Sequence, residues 1–199
     1  MSENIHPISD RLLKKEDRER SLGQRGKVVW LCGLSGSGKS TLAIALEKAL
    51  YSAGKHVYVL DGDNIRTGLN KGLGFSDDDR QENIRRIAEV SKLFQDAGLI
   101  AINSFITPTA NLRALARDVI GKENLIEIYV RASFETCKQR DVKGLYAKVE
   151  QGLVPDFTGK DSGFEEPEDS DLVIDTEAQS VEESLQTLLD FVSKQLELS

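Results

Sequence analysis

Apolar residues along this chain fall into two kinds of run. Five are short and nearly continuous: KVVWLC at 27–32, HVYVL at 56–60, LIAINSF at 99–105, LIEIYV at 125–130 and LVID at 172–175. Unbroken hydrophobicity over such lengths predicts strands covered on both faces. Between them, apolar residues recur at helical spacing. Leu42, Ala45, Leu46, Ala49 and Leu50 form a stripe that Gly54 can terminate, and Ile84, Ile87, Ala88, Ser91 and Phe94 form a second ending near Gly98. Ser180 followed by Glu183 is a capping box, opening a last helix whose buried face is Val181, Leu185, Leu188, Leu189 and Val192. The alternation of strands with segments long enough for crossover helices predicts an α/β fold, a central parallel five-stranded sheet with helices on both faces.

Two stretches break the pattern. Residues 1–25 carry charges without sustained apolar periodicity and read as a loosely held N-terminal arm, with the folded domain spanning 26–199. Between about 141 and 170 the composition shifts to Gly, Lys, Asp, Glu and isolated aromatics, as expected of a mobile lid over a site.

Composition narrows the function. The 199 residues, 39% hydrophobic and 30% charged, suit one globular domain. A net charge of -7 argues against partners held by bulk positive charge, so neither nucleic acid nor a membrane surface is expected; small anions need only a few local cations. The N-terminus has no apolar signal core and no stretch approaches a membrane span, which points to the cytoplasm. Cys32 and Cys137 are too far apart for a zinc-ligand spacing or a disulfide framework and read as buried thiols.

The segment Gly33-Leu34-Ser35-Gly36-Ser37-Gly38-Lys39-Ser40 matches G-x-x-x-x-G-K-[ST], with an apolar strand before it and an amphipathic helix from Thr41 onward. Its glycines let backbone N–H groups turn inward around phosphate oxygens. Lys39 reaches the β- and γ-phosphates of ATP, and Ser40 offers a hydroxyl to Mg2+. The run LDGDNIR at 60–66 ends the second strand, on the sheet edge where α/β proteins gather ligands. There Asp61 suits the metal, with Ser40, and Asp63 suits the proton of an attacking hydroxyl. An Asp-Gly turn with a helix cap at Asp63 explains the same spacing equally well without the P-loop.

These residues, with the blocks GLSGSGKSTLA, LDGDNIRTGLNKGLGFS, DRQENIRRIAEVSKLFQDAGLIAINSFI, RDVKGLY and FTGKDSGFEEPE in that order, resemble the adenylyl-sulfate kinases over about residues 26–175. Those enzymes phosphorylate the 3′-hydroxyl of adenosine 5′-phosphosulfate (APS) with ATP. The resemblance implies that Asp63, Asn64, Ile65 and Arg66 line the acceptor nucleotide, that Arg80 and Asn83 grip its phosphosulfate and ribose, and that Phe75 and Phe157 hold its adenine. It further implies that Lys143 and the chain at Ile106 and Thr107 complete the acceptor site, that Arg140 packs on the ATP base, and that the enzyme is a homodimer. From the residues alone, Arg80, Arg85 and Arg86 would form a solvated ion-pair face with Asp79 and Glu82, Phe75 and Phe157 would be loop anchors, and Lys143 an exposed lysine. The ordered blocks reverse that ranking.

One block departs from the family pattern SFISPYRxDR. Here SFITPTANLR puts Thr107 for a serine that some descriptions phosphorylate, Ala110 for an arginine and Leu112 for an aspartate, while Arg113 remains. The departure leaves open a related kinase with another nucleotide or a sugar phosphate as acceptor. An ATP-binding regulatory module without turnover is the alternative from outside enzymes, opposed by the intact set Lys39, Ser40, Asp61 and Asp63.

Overall fold

The computed structural model describes residues 6–141, 144–150, 158 and 163–198. Five strands, β1 (Lys27–Cys32), β2 (Val57–Asp61), β3 (Ile100–Ser104), β4 (Leu125–Arg131) and β5 (Leu172–Asp175), form one sheet in the order β2-β3-β1-β4-β5. Every pairing is parallel; Val29 sits opposite both Ile102 of β3 and Ile126 of β4. All five strands fall within one residue of the apolar runs that predict them.

Alternation along the strands builds two cores. Val29, Leu31, Ile100, Ile102, Ile128, Val130 and Ile174 face α2 (Lys39–Ser52) and α8 (Val181–Leu196), packing on Leu42, Leu46, Leu188 and Val192. Val28, Trp30, Cys32, Ala101 and Tyr129 face the other way, against α4 (Asp77–Asp96) and α5 (Ala110–Ile120) through Ile84, Ile87, Leu112 and Ala116. Each fully buried aliphatic side chain contributes about 1.5–3 kcal/mol, so the sheet core fixes the strand ends on which the site depends. The Ser180 and Glu183 capping box is present at α8. Val181, assigned to the buried face of α8, is instead 48% exposed: as the first residue of the helix it lies past the sheet, on the wall of the cleft.

The arm, read as loosely held and partly helical, is ordered from Lys15 onward. Residues Lys15–Leu22 form α1, and Gly23 ends it in the left-handed conformation. The polar residues that hid this docking from a hydrophobic reading are what carry it: Glu19 accepts from the Gly26 amide at 2.8 Å, Gln24 donates to the carbonyls of His56 and Gly98 at 2.9 Å each, and Arg18 donates to Asp96 O. Gln24 is fully buried, so its bonds replace water rather than compete with it.

Two short helices follow the fourth strand, α6 (Phe134–Arg140) and α7 (Leu145–Glu150), the second inside the stretch read as a lid. Asp141, with φ 21, turns the chain between them, and its carboxylate accepts from the amides of Tyr146 and Ala147. The far end of that stretch is bound to α5 rather than standing off the surface. Glu165 accepts from Ala110 N at 2.6 Å and donates its own amide to Pro108 O, and Asp169 pairs with Arg117 at 3.0 Å. Acidic side chains find there the open amides of a helix start and a guanidinium.

Candidate active site

The phosphate loop joins β1 to α2. Gly33 has φ 145 and a Cβ there would lie 2.4 Å from Val130 O; Gly36 has φ 84 and a Cβ would lie 2.9 Å from Cys137 O. Glycine is therefore required at both positions, by conformation and by space. Gly38 precedes α2 with no side-chain cap, so the amides of the first helical turn stay available to an anion and the helix dipole favours one. Leu34 is anchored below the loop beside Ala132, Cys137 and Tyr146, while Ser37 is fully buried. The Tyr146 hydroxyl donates to Ser35 O at 2.8 Å and so ties α7 to the loop; burial raises its pKa, keeping it a donor.

Lys39 is 7% exposed, its ammonium donating to Gly33 O at 2.9 Å and Leu34 O at 2.7 Å. One turn of chemistry away, Ser40 Oγ donates to Asp61 Oδ2 at 2.7 Å and lies 3.2 Å from Ser104 Oγ. The other Asp61 oxygen accepts from the Asp63 amide at 3.1 Å, making Asp61 the N-cap of α3 (Gly62–Thr67). The cap expected at Asp63 thus sits two residues earlier, and Asp63, in the first turn of α3, lines the cleft. The Ser40 and Asp61 oxygens are hard donors of the kind that hold Mg2+ beside phosphates, and their spacing fits one ion.

A single cleft of about 560 Å³ runs from this loop across the carboxyl ends of β1, β2 and β3. Beside the loop it is walled by Gly36, Gly38, Thr41, Arg140, Thr176 and Val181. Arg140 is held flat by Thr176, donating to its hydroxyl at 3.0 Å and its carbonyl at 2.7 Å. Thr176 Oγ1 in turn donates to Ser37 O at 2.9 Å, linking the end of β5 to the loop. Sequence reasoning missed Thr176, Gln179 and Val181, although Thr176 directly follows the fifth strand, where the strand-end rule that found Asp61 would also have pointed.

At the other end stand Arg66, Phe75, Arg80, Asn83, Ile106 and Thr107. The Arg66 guanidinium lies 4.3 Å from the centroid of the Phe75 ring and donates to the carbonyls of Leu73 and Gly74. Arg80 donates to Phe75 O and to Thr158 Oγ1, both at 2.8 Å. Phe75 is 51% exposed, which suits a platform better than a loop anchor. Burial and then the charge of Arg80 lower the Arg66 pKa, while Asp79 and Asp63 oppose the shift. The ion-pair face expected of this helix exists without Arg80: Glu82 takes Arg85 and Arg86 at 2.7 Å each, which pulls its pKa down to about 2. Asn83 is braced by Asn70, whose side-chain amide donates to it at 2.8 Å.

Asn64 and Ile65 do not belong to this wall. Ile65 packs against the second core, and Asn64 is exposed, its carbonyl accepting from Thr67. Helical periodicity separates them from Asp63 and Arg66, which share the cleft side of α3 at i and i+3. Lys143 and Phe157 lie outside the described residues. In the divergent block, Ala110 is exposed and off the cleft wall, while Leu112 belongs to the second core and also lines the cleft.

Fold and phosphate loop together define a P-loop kinase, and this architecture recurs in a gluconokinase from Sinorhizobium meliloti with a TM-score of 0.57 at 20% identity, a likeness of fold alone. The family model for adenylylsulphate kinase matches residues 25–175, and the chain belongs to that family. It is 55% identical to the adenylyl-sulfate kinase of Phocaeicola vulgatus, covering 96% of this chain and 93% of that one, and 52% identical to that of Bacteroides thetaiotaomicron, covering 98% and 96%. Among solved structures, the Mycobacterium tuberculosis APS kinase in complex with AMPPNP and APS superposes with a TM-score of 0.81 at 43% identity, over 85% of this chain and 98% of that chain.

Proposed function

We propose that this protein transfers the γ-phosphoryl group of ATP to the 3′-hydroxyl of APS, giving ADP and 3′-phosphoadenosine 5′-phosphosulfate. The observation that carries this reading is one cleft holding both halves of the reaction: a phosphate loop with Lys39 and the Ser40 and Asp61 pair at one end, and two clustered guanidiniums beside an exposed aromatic ring at the other. Arg66 and Arg80 match a phosphosulfate, and Phe75 offers its face to adenine. Lys39 leaves its two loop carbonyls for the migrating phosphoryl group, whose charge spreads over three oxygens in a loose transition state. Asp63 orients the attacking hydroxyl and accepts its proton. Ser40 and Asp61 would hold Mg2+, which would supply positive charge to offset that of the phosphates. Arg140 covers the ATP base. Most of the acceleration comes from holding donor and acceptor in line.

Transfer is direct. Thr107, at the position that some family descriptions phosphorylate, is 2% exposed, and its hydroxyl accepts a hydrogen bond from the Trp30 indole at 2.9 Å. Folded Thr107→Ala therefore keeps measurable turnover, and rapid-quench samples with labelled ATP carry no label on the protein. We read the working assembly as a homodimer, on the family resemblance; sedimentation tests the dimer. The deciding experiment for the function is ADP release by the purified protein with ATP and Mg2+ across a panel of acceptors. APS should exceed other nucleotides and sugar phosphates by orders of magnitude; equal rates with an unsulfated nucleotide would reject the reading.

A further inference from the structure

Thr107 is held in a conformation that its own residue type opposes. Its φ is 45, in the left-handed region where a β-branched side chain is an outlier. Three contacts from three elements fix it there. The Trp30 indole of β1 donates to its hydroxyl at 2.9 Å, Arg113 of α5 donates to its carbonyl at 3.2 Å, and Glu165 donates its amide to the carbonyl of the next residue, Pro108, at 2.8 Å. Arg113 is itself 5% exposed and lies 3.6 Å from Glu127 of β4, which is 3% exposed and also takes Arg117 at 2.8 Å. A buried ion cluster is a poor way to gain stability, since desolvation offsets most of the attraction, but it fixes geometry. Here the cluster ends on the backbone of the cleft wall, and none of its charged members lines the cleft.

We propose that Arg113, backed by Glu127 and working with Trp30, is a positioning residue that locks Thr107 left-handed and thereby shapes the acceptor wall from Phe105 to Pro108. Arg113 touches neither substrate. Its planar fork serves the Thr107 carbonyl and Glu127 together, whereas a lysine in its place keeps the charge and loses that geometry. The inference rests on the acceptor being APS only for its affinity arm. The conformational arm is independent, because Trp30 is the one tryptophan of the chain and its indole N–H gives a single resonance.

The test is Arg113→Lys, with Glu127→Gln as the second variant, each made in wild-type and Thr107→Gly backgrounds. Glycine takes a positive φ unaided, so positioning is no longer needed where residue 107 is Gly. In Arg113→Lys the indole resonance should move and its hydrogen exchange quicken about tenfold; APS affinity by calorimetry should fall about tenfold while ATP affinity changes less than twofold. In the Thr107→Gly background the same substitution should change APS affinity less than twofold. An unmoved indole resonance, equal damage to ATP, or the same APS loss in both backgrounds would overturn the proposal. If Arg113→Lys does not fold, Glu127→Gln is judged by the same criteria. A wild-type protein that ignores APS on the acceptor panel would instead sink the functional reading and leave the indole result standing.

Discussion

Lys39→Met separates the catalytic from the structural work of one side chain. Methionine keeps the methylene stem buried in the loop and deletes the ammonium. In the protein without nucleotide, the loss is two charge-assisted hydrogen bonds to Gly33 O and Leu34 O, at 2.9 and 2.7 Å. Against that stands relief from keeping an ammonium 7% exposed, so the net destabilisation should be on the order of 1–3 kcal/mol, readable as a lower urea midpoint at unchanged slope. During transfer the missing charge is aimed at the phosphoryl group, and removing one such preorganised stabiliser commonly lowers kcat about 10²- to 10³-fold. The assay is coupled ADP release at saturating ATP and APS, with circular dichroism and the urea transition establishing that the variant is folded. A folded Lys39→Met protein within fivefold of wild-type kcat would refute the role assigned to Lys39, and a midpoint shift above that of a core truncation would mean the lysine is chiefly structural.

Gly33→Ala should fail to bind ATP and should lose several kcal/mol of stability, since its Cβ would sit 2.4 Å from Val130 O; equilibrium binding with a fluorescent ATP analogue checks the first and thermal melting the second. Arg80→Ala should weaken APS binding by about tenfold or more while leaving ATP within twofold, measured by calorimetry, because its guanidinium stands at the acceptor end. Burial pushes the Cys32 thiol from 9.0 to about 12, so the folded state holds that proton more tightly than the unfolded one. Stability linked to Cys32 is complete below pH 9 and is lost as pH climbs toward 12, by about 1.4 kcal/mol per unit, and Cys32→Ala should flatten the fall in urea midpoint between pH 9 and 10.5.

The fold was legible wherever the physics is local and apolar. Five unbroken hydrophobic runs announced five strands, and the glycine spacing with Lys39 and Ser40 announced the loop, because both depend on a few adjacent residues. What escaped depends on partners distant in sequence. Helix α1 docks through Glu19 and Gln24, polar residues whose buried role appears only once Gly26, His56 and Gly98 are in place. Val181 looked like core because helical spacing reports a face, not how far along the sheet the helix starts. Ile65 stands beside cleft residues in sequence, yet it packs against the second core, which adjacency cannot foretell. Nothing in the spacing of Trp30, Thr107, Arg113 and Glu127 suggests that they meet, since each comes from a different part of the chain.

The strand order also governs how the polypeptide can be made. β1, the centre of the sheet, pairs only with β3 and β4, and its first partner, Ile100, is encoded about seventy residues after Lys27. At roughly 5–20 residues per second, a ribosome needs about 4–14 s to supply that partner. Throughout that interval the nascent chain carries KVVWLC as an unpaired, uncharged β-forming stretch beyond its first lysine, the composition most prone to intermolecular pairing. The charged residues 15–20 a few positions before it, KEDRER, act as gatekeepers during synthesis, before they become part of helix α1.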